Sequence, residues 1–284
     1  MTGSAGRVAA VVVGAVVFAG AALAANSGSF GDPAGDANPA PDITGVAISS
    51  DDAGTVTIKV SLANRAALAS DDEVTVGIDA DQNPDSGGVF YGADAELSLF
   101  GNTPTFLLPG SDGYYHEASK PVSFQAAFAE GVATFSFKAS ELGISSGFNV
   151  YVVGYANGAV DTAPDIRTSN YQLVAGTAPP ALGPDRRAPL DEATKSKGVH
   201  GKVVRLFYYV ADGRGETADT IRVLRGTKVL KRIVTRLEDS NPFFIYEVRW
   251  RVPRQVRGKL RFCVGSVDRA GNRSRQSCAA LTIR

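Results

Sequence analysis

Histidine, cysteine, methionine and tryptophan are scarce in this sequence of 284 residues, which contains two His, two Cys, one Met and one Trp. The two histidines, His116 and His200, lie far apart in the chain, so a Ser-His-Asp triad has few possible bases. A match to the nucleophile elbow of hydrolases, Gly143-Ile-Ser-Ser-Gly147, has the wrong context. The elbow needs a strand before its serine and a helix after it, and here the order is reversed. These features predict that the protein is not an enzyme.

Long apolar runs are also lacking, with one exception at the N-terminus. Arg7 precedes an apolar run from Val8 to Leu23 that ends in small residues at Ala24, which predicts a signal peptide over residues 1–24. The alternative is an uncleaved membrane anchor, because roughly 20 apolar residues span a bilayer. The run is weakly hydrophobic and has no flanking basic cluster, which favours cleavage. We therefore expect an exported protein, extracellular or at the cell surface, that touches a membrane only through this segment if it stays uncleaved.

The net charge of zero conceals two oppositely charged halves. Residues 26–185 carry 20 acids and 5 bases, whereas residues 186–284 carry 9 acids and 23 bases. Between the halves lies the Pro-rich segment Thr177 to Asp185, which is typical of a linker. The sequence therefore predicts an acidic domain over residues 30–175, a linker over 176–190 and a basic domain over 191–284.

Apolar residues recur at every second position through most of the chain, as in Val56, Ile58 and Val60. This period is typical of strands with one buried face, and Gly-rich or Asp-rich turns separate the strands. A single helical turn is predicted at Lys138–Leu142. Many short strands with such turns predict an all-β protein made of two β-sandwich domains.

The loop after the strand ending at Ile78 is rich in oxygen ligands. Asp79, Asp81, Asn83 and Asp85 occupy alternate positions before Gly87, a spacing that suits the six to eight oxygens of a calcium ion. The loop is not an EF-hand, because Pro and Phe occupy the positions of its required Gly and Glu. A solvated turn in which Asp and Asn cap their own backbone is the alternative. The pattern predicts structural calcium.

Further acids are available to complete that calcium site or to form a second one. They are Asp32, Asp36, Asp94, Glu96, Asp161 and Asp165, of which Asp36 and Asp94 are included in the predicted metal site. Because glycosidases use a pair of carboxylates, a glycoside-active enzyme is a further alternative. Their clustering in turns with metal-ligand spacing favours cation binding over acid–base catalysis.

A series of motifs in the acidic domain resembles one family. The motifs are Gly31-Asp-Pro-Ala-Gly-Asp36, Pro41-Asp-Ile-Thr44, Leu62-Ala-Asn-Arg65, Ile78-Asp-Ala-Asp-Gln-Asn-Pro84 and Gly92-Ala-Asp94. In this order they resemble the DOMON-like domains of the family 9 carbohydrate-binding module type, over about residues 30–175. The resemblance implies a jelly-roll-type sandwich with structural calcium, in secreted proteins that attach to polysaccharides or carry ligands in a cleft.

The acidic domain departs from the sugar-binding members because it lacks tryptophan; Trp250 is in the basic domain. Tyrosines are alternative sugar platforms, since they present an aromatic face and a polar tip. Tyr91, Tyr114 and Tyr115 lie in loop-like stretches and are the predicted ligand-binding residues, whereas burial is expected for Tyr151.

The last hairpin of the basic domain has a predicted register. If Asp268 pairs with Arg273, Cys263 lies opposite Cys278, within reach of a disulfide. An exported chain with two cysteines so placed is expected to be oxidised. The stretch from Cys263 to Asn272 resembles the end of bacterial immunoglobulin-like repeats, which implies a sandwich used as a spacer or adhesion module.

The functional prediction is a secreted, non-catalytic protein stabilised by calcium, which binds an extracellular polysaccharide, a cell-wall polymer or a similar ligand. The alternative is a structural cell-surface protein with calcium-stiffened domains and no specific ligand. No recognition helix or aromatic nucleic-acid motif accompanies the arginines, which argues against nucleic acid as a partner.

Overall fold

The computed structural model describes residues 26–284, so the predicted signal peptide lies outside the described residues. Within them the chain is all-β, and one 3-10 helix (Ala139–Leu142) forms the predicted helical turn. The strands of the first half are β1 (Asn26–Gly31), β2 (Ile43–Ser50), β3 (Thr55–Leu62), β4 (Glu73–Asp79), β5 (Ala95–Phe100), β6 (Thr103–Pro109), β7 (Tyr115–Glu117), β8 (Gln125–Ala129), β9 (Val132–Lys138), β10 (Gly147–Ala156), β11 (Ala159–Ala163) and β12 (Ser169–Gln172). Those of the second half are β13 (Leu190–Ala193), β14 (Ser196–Gly198), β15 (Val203–Ala211), β16 (Glu216–Arg225), β17 (Lys228–Val234), β18 (Glu238–Asp239), β19 (Tyr246–Arg251), β20 (Gly258–Asp268) and β21 (Ser277–Ile283).

Strands β1 to β12 form a sandwich of two sheets. One sheet has the order β1-β2-β3-β9-β8, and the other has the order β11-β10-β4-β5-β6-β7 with β12 also paired to β10. The alternating residues of β3 that the sequence assigns to the core, Val56, Ile58 and Val60, are fully buried. They belong to one apolar cluster with the inward side chains of β4, β5 and β10. Burial of this apolar surface is the main stabilising contribution to the sandwich.

The second sandwich is immunoglobulin-like. A sheet of order β13-β15-β19 faces a sheet of order β14-β21-β20-β16-β17, to which β18 is attached through β16. The core between them contains the single tryptophan, Trp250, which is 5% exposed. No strand occupies residues 173–189 between the two sandwiches. No helix within residues 26–284 is long and apolar enough to cross a membrane.

The hairpin of β20 and β21 joins Cys263 to Cys278 by a disulfide. Leu260 lies opposite Leu281 in the same register, as the hairpin pattern predicts. Near the turn the pairing differs from the prediction, because Arg273 lies opposite Val267 rather than Asp268. The Asp268 carboxylate instead accepts hydrogen bonds from the backbone and side chain of Asn272, which tightens the turn and shifts the register by one residue.

One apolar sequence pattern of the second domain overruns its strand. The alternation begins at Phe244, but β19 begins at Tyr246, because Asn241 starts a turn in which its carbonyl accepts the Phe244 N–H. Asn241 is fixed to the first domain, where its side-chain amide donates to Thr162 Oγ1 at 3.0 Å and to the Asp165 carbonyl at 2.8 Å. The loop that contains Phe243 and Phe244 therefore belongs to the junction between the domains.

The domain junction covers the outer face of the β10-β4-β5 sheet. Phe243 of the second domain packs against the rings of Tyr91 and Tyr151, with centroid distances of 6.3 and 5.2 Å. Tyr151 lies flat over Gly77, where a Cβ atom would come within 2.0 Å of the ring. Strand β4 is therefore buried on both faces, by the core on one side and by this aromatic layer on the other.

Candidate functional site

Two groups of carboxylates lie at loop ends of the first domain. The first consists of Asp79, Asp81 and Asp94, and the second of Asp32, Asp36 and Asp161; within each group one oxygen per residue lies within 4.8 Å of the others. Three convergent carboxylates are suitable ligands for a hard divalent cation such as calcium. The sequence left open whether Asp36 completes the site of Asp79 or belongs to a second one, and the fold puts Asp36 in the second group.

The first group is held by backbone and amide donors. Asp79 accepts hydrogen bonds from the Asn149 side chain at 2.8 Å and from the Asn83 N–H at 3.0 Å. Asp94 accepts the Ala80 N–H at 2.9 Å. Burial raises the pKa of Asp79 to about 7, and it also raises the pKa of Asp94. Both shifts arise because a buried carboxylate lacks solvation, which a bound cation would replace.

Self-capping of the loop, the alternative interpretation, also operates here. The Asn83 N–H donates to Asp81 Oδ1 at 2.9 Å, and Asn83 Oδ1 accepts the Asp85 N–H at 3.2 Å. Ser86 Oγ donates to the Asp81 carboxylate. These bonds order the loop around the three carboxylates, so capping and convergence coexist in the same residues.

Asp85 does not join the first group, contrary to the prediction. Its carboxylate pairs with Arg214 of the second domain through two bonds of 3.0 and 2.7 Å. Glu96 is also separate, because it is buried and accepts a hydrogen bond from the Tyr151 hydroxyl at 2.6 Å. The sequence places both residues near the loop but does not reveal the partner that each one meets across the fold.

The second group is short of hydrogen-bond donors. Asp161 accepts the Ile43 N–H at 2.6 Å, whereas the buried Asp32 Oδ2 atom has no partner. Burial and the nearby carboxylates, Asp161 first, raise the pKa of Asp32 to about 7. Burial raises the pKa of Asp161 to about 6. Asp165 lies outside the group.

Of the three predicted ligand-binding tyrosines, Tyr91 is buried and Tyr115 is half-buried. Tyr91 is 3% exposed and packs edge-on against Tyr151. Tyr115 stacks on Phe90 and donates its hydroxyl to the Ala93 carbonyl at 2.8 Å. Burial raises the pKa of both phenols. Tyr114 is 37% exposed and faces the cleft described next, so it is the most accessible member of the set.

A cleft of about 1000 Å³ lies between the two domains. Its first wall consists of the outer face of β4, β5, β10 and β11, and its second wall consists of β13, β15 and the loop before β19. Six aromatic rings and three acids line it: Phe90, Tyr114, Tyr155, Tyr209, Phe243, Phe244, Glu73, Glu96 and Glu192. Cavities of this size that are mainly apolar and contain a few polar groups are typical ligand sites.

Contacts across the cleft join the two walls. Burial and then the Glu192 carboxylate raise the pKa of Tyr114 in the opposite domain. Burial, Glu192 and then Tyr155 raise the pKa of Tyr209. Glu192 lies opposite Tyr209 in the pairing of β13 with β15. The phenols and the carboxylate therefore form one polar patch inside an otherwise aromatic cleft.

The sequence predicts Tyr114 as accessible but does not identify the other cleft residues. Tyr155 is 41% exposed on the outer face of β10, and the alternation of that strand does reveal its orientation. The adjacent pair Phe243 and Phe244, after the Asn-Pro turn, is the other local signal. Neither signal predicts that the rings meet, because their meeting depends on how the domains dock.

The serine of the elbow-like motif has the surroundings that the sequence indicates. Ser145 follows the 3-10 helix and precedes β10. His116 Nε2 lies 3.1 Å from Asp112 Oδ1 in an exposed position, and His200 bonds Arg257 in the second domain. These contacts do not assemble a nucleophile, a base and an orienting acid around Ser145 among residues 26–284.

No family model and no curated protein matches the chain. Solved structures with similarity include fibronectin type III-like modules of Clostridium thermocellum CbhA, with 9% identity, coverage of 82% of this chain and 86% of that chain, and a TM-score of 0.26. The titin domains Z1Z2 in complex with telethonin have 12% identity, coverage of 82% and 89%, and a TM-score of 0.24. A CARDB domain from Pyrococcus furiosus in complex with di-metal ions has 12% identity, coverage of 34% and 86%, and a TM-score of 0.23. Similarities at this level carry no functional conclusion.

Proposed function

We propose that this chain is a secreted, non-catalytic binding protein of the DOMON-like type, which attaches to extracellular polysaccharide through the cleft between its domains. The observation that carries the proposal is the concentration of six aromatic rings in a cleft of about 1000 Å³. Tyr114, Tyr155 and Phe244 expose 37%, 41% and 41% of their surface there. Aromatic faces with polar tips suit the apolar faces and hydroxyl edges of sugar rings.

Calcium belongs to the same proposal as a structural ion of the first domain. The carboxylates of Asp79, Asp81 and Asp94 supply three oxygens, and the second group supplies three more for another ion. The loop of the first group meets both the linker and the second domain. Arg187 of the linker donates to the carbonyls of Ser86 and Gly87, and Arg214 of the second domain pairs with Asp85. An ordered loop therefore supports both the domain junction and the cleft.

Sedimentation with insoluble polysaccharides tests the binding. Wild type is expected to sediment with at least one glycan, and the Tyr114→Ala/Tyr155→Ala variant is expected to stay in solution. Phe100→Ala is the matched control, because Phe100 is 49% exposed and lies outside the cleft. If neither wild type nor control sediments with any glycan, polysaccharide binding is refuted.

A structural surface protein is the second candidate, and the tight junction favours it. Arg214 pairs with Asp85, and Arg167 pairs with Asp239 at 2.8 Å, so ion pairs cross the junction in both directions. Such a junction stiffens a spacer without any ligand. Failure of all glycans to bind, together with rigid domains in small-angle scattering, supports this second function.

A further inference from the structure

The cleft is acidic although half of it belongs to the basic domain. Glu73, Glu96 and Glu192 line it, and no lysine or arginine does so among the described residues. The second half of the chain has 23 bases, but the polar side chains that it contributes to the cleft include Glu192 and Tyr209. The negative charge of the cleft is therefore a local property of its walls rather than a consequence of domain charge.

These three carboxylates have no cationic partner among residues 26–284. None of the ion pairs formed within residues 26–284 includes Glu73, Glu96 or Glu192. Glu73 accepts a hydrogen bond from Thr75 Oγ1 at 2.8 Å, and Glu96 accepts one from Tyr151. Partly desolvated carboxylates without a countercharge are stabilised by a cation that enters the site.

The aromatic rings favour the same kind of ligand. Phe90 of the first wall and Phe243 of the second have centroids 4.6 Å apart. Tyr114 and Tyr209 lie near Glu192, and Tyr155 lies near Tyr209. Ring faces attract cations within about 6 Å, and this attraction increases where water is excluded. A cleft with both rings and carboxylates therefore matches a ligand with apolar faces and positive charges.

We propose that the cleft binds amino sugars that have a free ammonium group, as units of a polysaccharide. This inference rests on the proposed polysaccharide function and names its ligand class. The rings contact the sugar faces, and Glu73 and Glu192 pair with the ammonium groups. A single small amine fills little of a cleft of about 1000 Å³, whereas several linked sugars occupy both walls.

Titration calorimetry with three β-1,4-linked hexamers tests the inference on the full chain. Glucosamine hexamer is cationic, whereas N-acetylglucosamine hexamer and cellohexaose are neutral. We expect glucosamine hexamer to bind roughly tenfold more tightly than either neutral hexamer, and the difference to shrink as salt is added. The isosteric Glu73→Gln/Glu192→Gln variant is expected to remove the difference between the cationic and the neutral hexamers. Glu130→Gln, an exposed carboxylate outside the cleft, is the control.

The outcomes separate this inference from the proposed function. Equal binding of cationic and neutral hexamers refutes the amino-sugar ligand but leaves polysaccharide binding intact. Preferential glucosamine binding that survives in the double glutamine variant refutes the cleft as its site. Absence of binding by all three hexamers and by insoluble glycans refutes both. Circular dichroism of each variant confirms that a lost affinity reflects the cleft and not unfolding.

Discussion

Two buried carboxylates of the second domain, Asp191 and Asp219, share a neutral hydroxyl, whereas Asp79 and Asp94 of the first domain belong to a cluster of three carboxylates. Ser266 Oγ lies 2.6 Å from Asp191 and 2.8 Å from Asp219, and Tyr208 donates its hydroxyl to Asp219 at 3.0 Å. In the first domain, Asp79 and Asp94 belong to a group whose oxygens converge within 4.8 Å. The local surroundings of these carboxylates, rather than the charge of the domain, are the reason for proposing a cation in the first domain.

The two domains also differ in what stabilises them beyond their cores. The second has a disulfide, and the first has carboxylate groups suited to calcium. Trp250, the only tryptophan of the chain, is buried in the second domain, so its fluorescence reports on that domain. Hydrogen exchange of β4 reports on the first domain. These two signals allow each prediction below to be assigned to one domain.

Removal of the disulfide should have the largest effect and should act on the second domain. The cysteines are separated by 15 positions, and closure of a loop of that size contributes about 3 kcal/mol. In Cys263→Ser/Cys278→Ser, the urea midpoint of Trp250 fluorescence should fall. If hydrogen exchange of β4 shows that the first domain loses as much stability as the second, the disulfide does not act on the second domain alone.

Calcium should stabilise the first domain and leave the second nearly unchanged. At a free concentration of 100 times the Kd, a ligand specific for the folded state contributes about 2.7 kcal/mol. Exchange of β4 should slow with calcium and accelerate with EDTA. Asp79→Asn/Asp94→Asn should abolish the response of that site, whereas Asp71→Asn, at an exposed position outside both groups, should retain it. Unchanged exchange in EDTA would contradict the calcium proposal.

The pH dependence should have opposite signs with and without calcium. The pKa is about 7 for Asp32 and Asp79 in the folded chain, against an ordinary value of 3.8, so the folded state binds more protons between these values. In EDTA, the stability of the first domain should therefore fall as pH rises from about 4 to about 7. With calcium, deprotonation favours the ion, and stabilisation by calcium should rise over the same range. Thermal midpoints of β4 exchange, measured in both buffers, check the signs.

Loss of the ion pair at the domain junction should have the smallest effect on stability. Arg214 and Asp85 are 28% and 19% exposed, so solvent screens a bidentate pair that contributes about 1 kcal/mol. Arg214→Ala should increase exchange at the cleft residues of both domains. Arg222→Ala, on an exposed strand position, is the matched control. Identical exchange in the two variants would show that the pair does not hold the junction.

Much of the fold is predictable because strand periodicity and hairpin register are local. Val56, Ile58 and Val60 alternate with polar residues, and burial follows that alternation. The pairing of Cys263 with Cys278 follows from a short turn. By contrast, Phe244 continues an apolar alternation outside the strand, because its turn is fixed by contacts of Asn241 with the other domain.

The site was less predictable because its residues meet through long-range packing. Asp79 and Asp81 lie at one end of the loop and Asp94 lies just before the next strand, so the loop brings the three carboxylates together. The spacing of acids in the loop does indicate this cluster. Tyr91 has a positive φ of 51°, which directs the chain back under the second domain and buries the ring. No sequence pattern predicts that a tyrosine reverses the chain direction here. Nor does any pattern predict the ion pair between Asp85 and Arg214 of the other domain.

Hydrogen exchange with saturating glucosamine hexamer tests polysaccharide binding between the domains most directly. Protection is expected on both walls at once, at residues 153–160 of the first domain and at residues 190–192 and 242–245 of the second. The Tyr114→Ala/Tyr155→Ala variant should lose it. Protection confined to one domain, or located on the arginine-bearing face of β16 and β17, would contradict binding in the cleft.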